Sequence, residues 1–503
     1  MLLAGLLIIS CHTRSTIATT ADDEILIKII QINDVYEIDA LNNGKNGGLA
    51  RVAWIRDSIA NENPNTWFFL AGDFLSPSLL GTIKVDGERL NGKQMIDVLN
   101  VSGLDLVTFG NHEFDINEAD LQKRLNETSF KWTSANVKQR TAGENKPFYK
   151  ETLSGREPVT DYMIYTASNA KGNTVNFGVF GVTLPSNPKD YVYYGDIFDE
   201  SVRAYEEASQ NSDFVLGLTH VSIDQDKEIA RRVPGVQLIM GGHEHNNMVV
   251  DVGNSVITKA DANVISLFVH TLSYQPSTKN LDIDSELVMV NDQFPSKPDV
   301  LAVVEKWNQL LDENLKLVID NPNEVIYHAV EPLDGTDTAS RNTQTNLGGI
   351  IGESMMLAYE NKADAAFSNG GGIRIDDKLA GDITGKDIFR VLPFGGSAVL
   401  VDMKGKLLRE VLDFGLNAKG SGAYLQWYKI DRNAKGEWQI GGKALDDEKT
   451  YSIAMNDFLM MGLDIPFLKN DNPGVVKIYT PDENEIAGDL RKAVIHYFRT
   501  NGK

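Results

Sequence analysis

Three short polar segments hold four of the chain's eight histidines: Gly110-Asn111-His112-Glu113-Phe114-Asp115, Thr219-His220, and Gly241-Gly242-His243-Glu244-His245. Asp34 and Asp73 each follow an apolar run. Together these side chains offer enough oxygen and imidazole ligands for two metal ions. Asp73 is the candidate bridge, since a shared carboxylate can hold two divalent ions roughly 3.5–4 Å apart, and Gly72 lets the backbone turn sharply before it. Asp34, Asn111, His220, His243 and His245 would complete the two ligand sets. A set without thiolate suits Mn, Zn, Fe, Co or Mg. His243 and His245 share a face if the segment is a strand; in a glycine-led loop they can still reach neighbouring ions. His112 follows Asn111 directly and needs another task, such as donating a proton to a leaving oxygen or stabilising charge there. Asp115 either orients His112 or caps a helix running through Glu118 and Leu121. Two metals beside a His–Asp pair point to phosphoester hydrolysis by a metal-bound water or hydroxide. No serine or cysteine nucleophile is required.

Such groups must be mounted on something. Ile25–Ile32, Trp67–Leu70, Asp105–Phe109, Phe214–Leu218 and Val236–Met240 read as apolar strands. They alternate with helical patterns, as at Leu49, Val52, Ile55 and Ile59 and at Met95–Leu99, which predicts a layered α/β domain. Asp34, Asp73, Asn111, His220 and His243 all lie at carboxyl ends of such runs, where α/β proteins build sites. Val256–Lys259 and Val264–Leu272 read as antiparallel strands closing the domain. Pro295 and Pro298 read as a chain break. Leu301–Val318 follows as an amphipathic connecting helix, and a second domain starts near Val325.

The length of 503 residues predicts two domains. A formal net charge of -22 argues against a nucleic-acid polymer as partner, but a local cation cluster can still receive a small phosphorylated molecule. The chain starts with an apolar run of about ten residues, too short to span a bilayer, which resembles an export signal. Cys11 is the sole cysteine. Its setting, Ile8-Ile9-Ser10-Cys11, reads as a lipoprotein processing site; the alternatives are a plain signal cut near residues 18–21 or an ordinary thiol. The expected location is extracytoplasmic, in a bacterial periplasm or cell envelope, with a possible lipid anchor.

In the second domain, Gly370-Gly371-Gly372 lets the backbone approach a ligand closely, and Arg374 can fork onto a pair of phosphate oxygens. Phe394, in Leu392-Pro393-Phe394-Gly395-Gly396, stands on a turn suited to presenting an aromatic face to a base.

In order and spacing these segments resemble the calcineurin-like metallophosphoesterases, and the pairing with a second domain is similar to the 5'-nucleotidase and UDP-sugar hydrolase family. The segments that carry the resemblance are Gly110 to Asp115 and Asn369-Gly370-Gly371-Gly372-Ile373-Arg374. The resemblance implies a four-layer α/β/β/α metallophosphoesterase domain followed by a mixed α/β substrate-binding domain. The implied division is signal and tether over 1–23, phosphoesterase domain over 24–300, linker helix over 301–324 and nucleotide-binding domain over 325–503. It implies two divalent ions, Mn, Zn, Co or Mg, one held by Asp34, residue 36, Asp73 and His245, the other by Asp73, Asn111, His220 and His243. His112 and Asp115 match the family's catalytic dyad. Arg341 and Arg374 match phosphate contacts, and Asn369 and Gly371 lie in the ligand loop. Phe394 and Phe467 match the rings that clamp the base, with Asp464 at the sugar hydroxyls. The implied partner is a nucleotide or nucleotide sugar, for a monomer or weak dimer. The implied reaction is hydrolysis of a 5'-phosphomonoester, with nucleotide-sugar pyrophosphate or 2',3'-cyclic nucleotide as alternative substrates.

Two departures stand out. The family pattern Asp-x-His is here Asp34-Val35-Tyr36. A neutral phenol with a reference pKa of about 10 is a poor ligand, so Tyr36 either binds a trivalent iron in a mixed-metal site, lies beside the ion, or packs. The weakest of these for turnover leaves a nucleotide-binding protein with impaired hydrolysis. The second departure is the segment Gly462 to Phe467, which lacks two of the family's glycines and carries its phenylalanine one place late.

Overall fold

The computed structural model describes residues 23–185 and 189–501. The expected signal, tether and Cys11 lie outside the described residues, apart from Asp23. Among the described residues, no helix is long and apolar enough to cross a membrane.

Two six-stranded sheets lie face to face in the N-terminal half. The first runs in the order Asn280–Met289, Ser266–Gln275, Ile25–Ile32, Thr66–Leu70, Leu106–Thr108, Lys131–Thr133, its last four strands parallel. The second is built around Thr174–Thr183, Phe214–His220, Leu238–Gly241 and Ser255–Lys259, also parallel. Alternation along each strand sends side chains to opposite faces. Ile25, Ile27 and Ile29 meet Phe177, Val179, Leu216 and Met240 between the sheets. Ile30 and Ile32 point the other way, onto the helix residues Val52, Met95 and Leu99. Ala204, Ala208 and Ile229 cover the outer face of the second sheet. Strands buried on both faces read as unbroken apolar runs, and the layering is α/β/β/α.

Two expectations need correction. Ser255–Lys259 runs parallel to Leu238–Gly241 and is antiparallel only to its hairpin partner Met248–Val252. Pro298 does not break the chain: it opens the helix Pro298–Leu315, where its missing N–H costs no hydrogen bond. That helix is more than a tether. Val300, Val304, Trp307, Leu311 and Leu315 are buried in a cluster that continues to Ile326, Leu347 and Phe498 of the C-terminal half.

The C-terminal half centres on a five-stranded mixed sheet, in the order Leu425–Tyr428, Ala365–Asn369, Thr450–Asn456, Ala398–Lys404, Val475–Tyr479. The helix Gly405–Asn417 buries Leu407, Leu408, Val411 and Leu412 against one face. The strand Ala365–Asn369 ends at the glycine turn Gly370–Gly372.

Candidate active site

Four parallel strands bring their carboxyl ends together. Asp34 follows Ile25–Ile32, Asp73 follows Thr66–Leu70, His220 ends Phe214–His220, and His243 follows Leu238–Gly241. Asp34, Asp73 and His243 have positive φ, at 53°, 58° and 81°. These sparsely populated conformations turn the side chains back over the strand ends. Backbone crowding holds them there. A Cβ on Gly110 would overlap Asp73 Oδ1, and one on Gly242 would overlap the Ala71 carbonyl.

Ligand atoms of Asp34, Asp73 and His220 lie within 4.8 Å of one another, all buried. His220 Nε2 is 3.1 Å from Asp73 Oδ2, yet makes no hydrogen bond. Its Nδ1 donates to the Ala71 carbonyl at 2.7 Å. The Asn111 side-chain oxygen is likewise buried without a partner. Buried polar atoms without partners are uncommon, and His220 Nε2, beside the Asp73 and Asp34 carboxylates, fits a cation. His243 stacks edge-on to His220, with ring centres 5.5 Å apart. His245 Nε2 lies 3.4 Å from Asp34 Oδ1. The donor set of carboxylate, amide and imidazole matches hard to borderline divalent ions.

Burial alone would lower the His220 imidazole, but the Asp73 and Asp34 carboxylates outweigh it and push it up to about 9. Burial and the neighbouring His220 push His243 down to about 4, so His243 is neutral, whereas His220 and His245, both raised by carboxylates, would each have to lose a proton to a cation. Metal affinity should therefore climb as pH rises through about 9. Chelator competition across that range checks this; a flat profile would mean that neither His220 nor His245 binds the ion.

Tyr36 is 7% exposed. Its hydroxyl stands 3.4 Å from Asp34 Oδ1, 3.2 Å from Asp73 Oδ2 and 3.3 Å from His245 Nε2. These are hydrogen-bond spacings, so the phenol is tied to both carboxylates and to that imidazole. Electrostatics works against ligation, because burial and the Asp73 and Asp34 carboxylates push the phenol well above its ordinary value. Asn263 fixes this corner: its side-chain oxygen accepts from the backbone N–H groups of Tyr36 and Glu37 at 2.9 and 3.1 Å.

His112 Nδ1 is 2.6 Å from Asp115 Oδ2, and the His112 N–H donates to Asp73 Oδ1 at 2.7 Å. The alternative role for Asp115 is filled by another residue, since Asn117 caps the helix Glu118–Glu127. Glu113, between them, was not singled out from sequence. Its buried carboxylate accepts backbone N–H groups from Asp73, Phe74, Leu75 and Gly110, which ties the two loops together. Lys259 was also missed. Fully buried, it lies 2.9 Å from Asp226 Oδ2, pairs with Glu244, and donates to the Val221 and Gly242 carbonyls, bracing the loop that carries His243 and His245.

The C-terminal half completes the cleft. Arg341 and Arg374 line a small cavity of about 50 Å³ together with Tyr36, Asp73, His112, His243 and His245. Arg341 pairs with Asp337 at 2.6 Å. Asn369, Gly371 and Phe394 line a second, larger cavity of about 380 Å³. Consecutive residues, Ile373 and Arg374, face the two cavities. Asp464 Oδ2 accepts from Asn369 Nδ2 at 2.8 Å. Phe467 requires a correction. Its ring stands edge-on to Phe414 at 5.7 Å and packs on the C-terminal core, and it is Phe458 that lines the cavity with Phe394. The altered 462–467 loop puts its phenylalanine into packing, while Phe458 reaches the cavity from the adjoining 3-10 turn.

Comparison with known proteins places two family domains on the chain. Residues 27–247 match the model of the calcineurin-like phosphoesterase family, and residues 325–469 match that of the 5'-nucleotidase C-terminal domain. The trifunctional nucleotide phosphoesterase protein YfkN of Bacillus subtilis is 28% identical over 461 residues, covering 81% of this chain and 30% of that protein. The chain thus spans less than a third of that relative. The 5'-nucleotidase of Bos taurus is 24% identical, covering 91% of this chain and 85% of that protein. A crystal structure of a 5'-nucleotidase precursor from Thermus thermophilus shares the fold, with a TM-score of 0.71 at 21% identity over 95% of this chain and 97% of that one.

Proposed function

From a chain that has the two-domain architecture of the 5'-nucleotidase family, a calcineurin-like phosphoesterase followed by a 5'-nucleotidase C-terminal domain, we propose hydrolysis of the 5'-phosphomonoester of nucleotides. The recognised domains and the clustered Asp34, Asp73 and His220 support a metal-dependent phosphoesterase. The finer reading rests on one observation: two arginines of the C-terminal half share a cavity with the candidate metal ligands, and the residue before one of them, Ile373, lines a cavity with Phe394 and Phe458.

In this reading Asp34, Asp73, Asn111, His220, His243 and His245 hold two divalent ions. Such ions, when bound, supply Lewis-acid stabilisation and lower the pKa of the attacking water. Arg341 and Arg374 neutralise the phosphate oxygens. His112, oriented by Asp115, delivers a proton to the leaving 5'-oxygen. Phe394 and Phe458 take the base between them, with Asn369 and Asp464 toward the sugar. An extracytoplasmic location accords with the apolar residues 1–11 and with this substrate class.

Tyr36 supports a second reading, in which nucleotide binds but turnover is impaired. Phosphate release from AMP, UDP-glucose and a 2',3'-cyclic nucleotide, with manganese and with chelator, separates the two. We expect AMP to be cleaved fastest and chelation to abolish release; uptake of AMP without phosphate release under any metal would leave only the binding role. In the same assay Tyr36→His should tighten one ion by about tenfold, the size of effect typical for changes around a metal site. Chelator competition and metal analysis check this, and unchanged affinity would mean that residue 36 does not border the ion.

A further inference from the structure

Among the candidate ligands, His245 is held in an unusual way. Its Nε2 faces Asp34 Oδ1 at 3.4 Å and the Tyr36 hydroxyl at 3.3 Å. Its Nδ1 is bonded to Asp376 Oδ2, from the loop after the C-terminal glycine turn, 131 positions away in the chain. His220, by contrast, is braced by the Ala71 carbonyl of its own domain. Asp376 is itself fixed. Its other oxygen accepts the Asp337 N–H at 2.7 Å, and Asp337 pairs with Arg341 at 2.6 Å. Its backbone has φ 45°, a conformation that aspartate tolerates better than most side chains. The pair is largely shielded, with side-chain exposures of 20% for His245 and 13% for Asp376.

We infer that Asp376 is a positioning residue for the metal site, supplied by the C-terminal domain to a ligand of the N-terminal domain. A carboxylate on Nδ1 requires that nitrogen to be the donor, so Nε2, on the side of Asp34 and Tyr36, is the nitrogen that gives up its proton to take an ion. It also fixes the ring plane and raises the basicity of the coordinating nitrogen. One ion is then gripped fully only when the two domains meet, and by reciprocity its binding favours that meeting. The chain Arg341–Asp337–Asp376–His245 links an arginine proposed for phosphate to that same grip. The inference rests on the two-metal reading above, in which His245 is a ligand.

The test is manganese affinity of the full-length protein, measured by chelator competition in the absence of substrate. Asp376→Ala should weaken one of the two sites by about 10–100-fold and spare the other. Asp376→Asn keeps an acceptor for Nδ1 and should lose less. Asp382→Ala, which removes the partner of the exposed His328 on the same domain, should change nothing. Circular dichroism and thermal midpoints confirm that each variant is folded; should Asp376→Ala not fold, the isosteric Asp376→Asn carries the test, with an expected loss of about threefold or more. Wild-type affinity in Asp376→Ala, or an equal loss in folded Asp376→Asn and Asp376→Ala, overturns the positioning role. A wild-type protein that binds no manganese would instead overturn the metal reading on which it rests.

Discussion

His112→Asn should lower kcat by about 10²–10⁴-fold while both metal sites keep their affinity, the range set by positioned proton donors. The reason is geometric. Asp115 holds His112 Nδ1 at 2.6 Å, so the ring presents its other nitrogen to the cavity that also contains Arg341 and Arg374. The backbone N–H of His112, which bonds Asp73 Oδ1, survives the substitution, so Asp73 stays in place. Asp115→Asn should fall less far, because the amide still accepts a hydrogen bond. A substrate with a better leaving group, such as p-nitrophenyl phosphate, should suffer less from His112→Asn than AMP does. Equal losses on both substrates would remove the proton-donor assignment, and lost metal would make His112 a structural residue.

Lys259→Met should destabilise the N-terminal domain by about 3–5 kcal/mol, the usual result of stripping one partner from a buried ionic group. Lys259 has no exposed side-chain surface, Asp226 has none, and Glu244 is one-quarter exposed. With the ammonium gone, two carboxylates face each other with only Thr219 Oγ1 and the Ile223 N–H left to offset them. The triple variant with Asp226→Leu and Glu244→Met should regain much of the loss, since apolar replacement of a whole buried ionic group is often neutral. Urea unfolding followed in the metal-loaded protein measures both. A single variant within about 1 kcal/mol of the parent would show that the pair is solvated.

The strand ends are legible because mostly apolar runs stop at polar residues, the pattern a parallel strand buried on both faces produces. Asp34, Asp73, Asn111 and His220 therefore stood out before any fold was known. What escaped was whatever depends on distant pairing. Lys259 read as the end of an ordinary strand, because its partners Asp226 and Glu244 come from other elements. Glu113 sat in plain view within the 110–115 segment, but its role as acceptor for four backbone groups needs the turn after Asp73. Asp376 followed a recognisable loop with nothing local to tie it to His245. Motif spacing points to Phe467 rather than Phe458, whereas the chain between them folds so that Phe467 packs on Phe414 and Phe458 lines the cavity.

Gly110 and Gly242 press backbone against neighbouring strand ends with no room for a single methyl. Loops jammed together in this way form a keystone: lengthening or swapping any one dislodges the rest. Selection for a different cation must then proceed by exchanging one side chain at the rim while the frame stays fixed. Position 36, held by Asn263 and reaching over that rim, is where a saturation library should be aimed first.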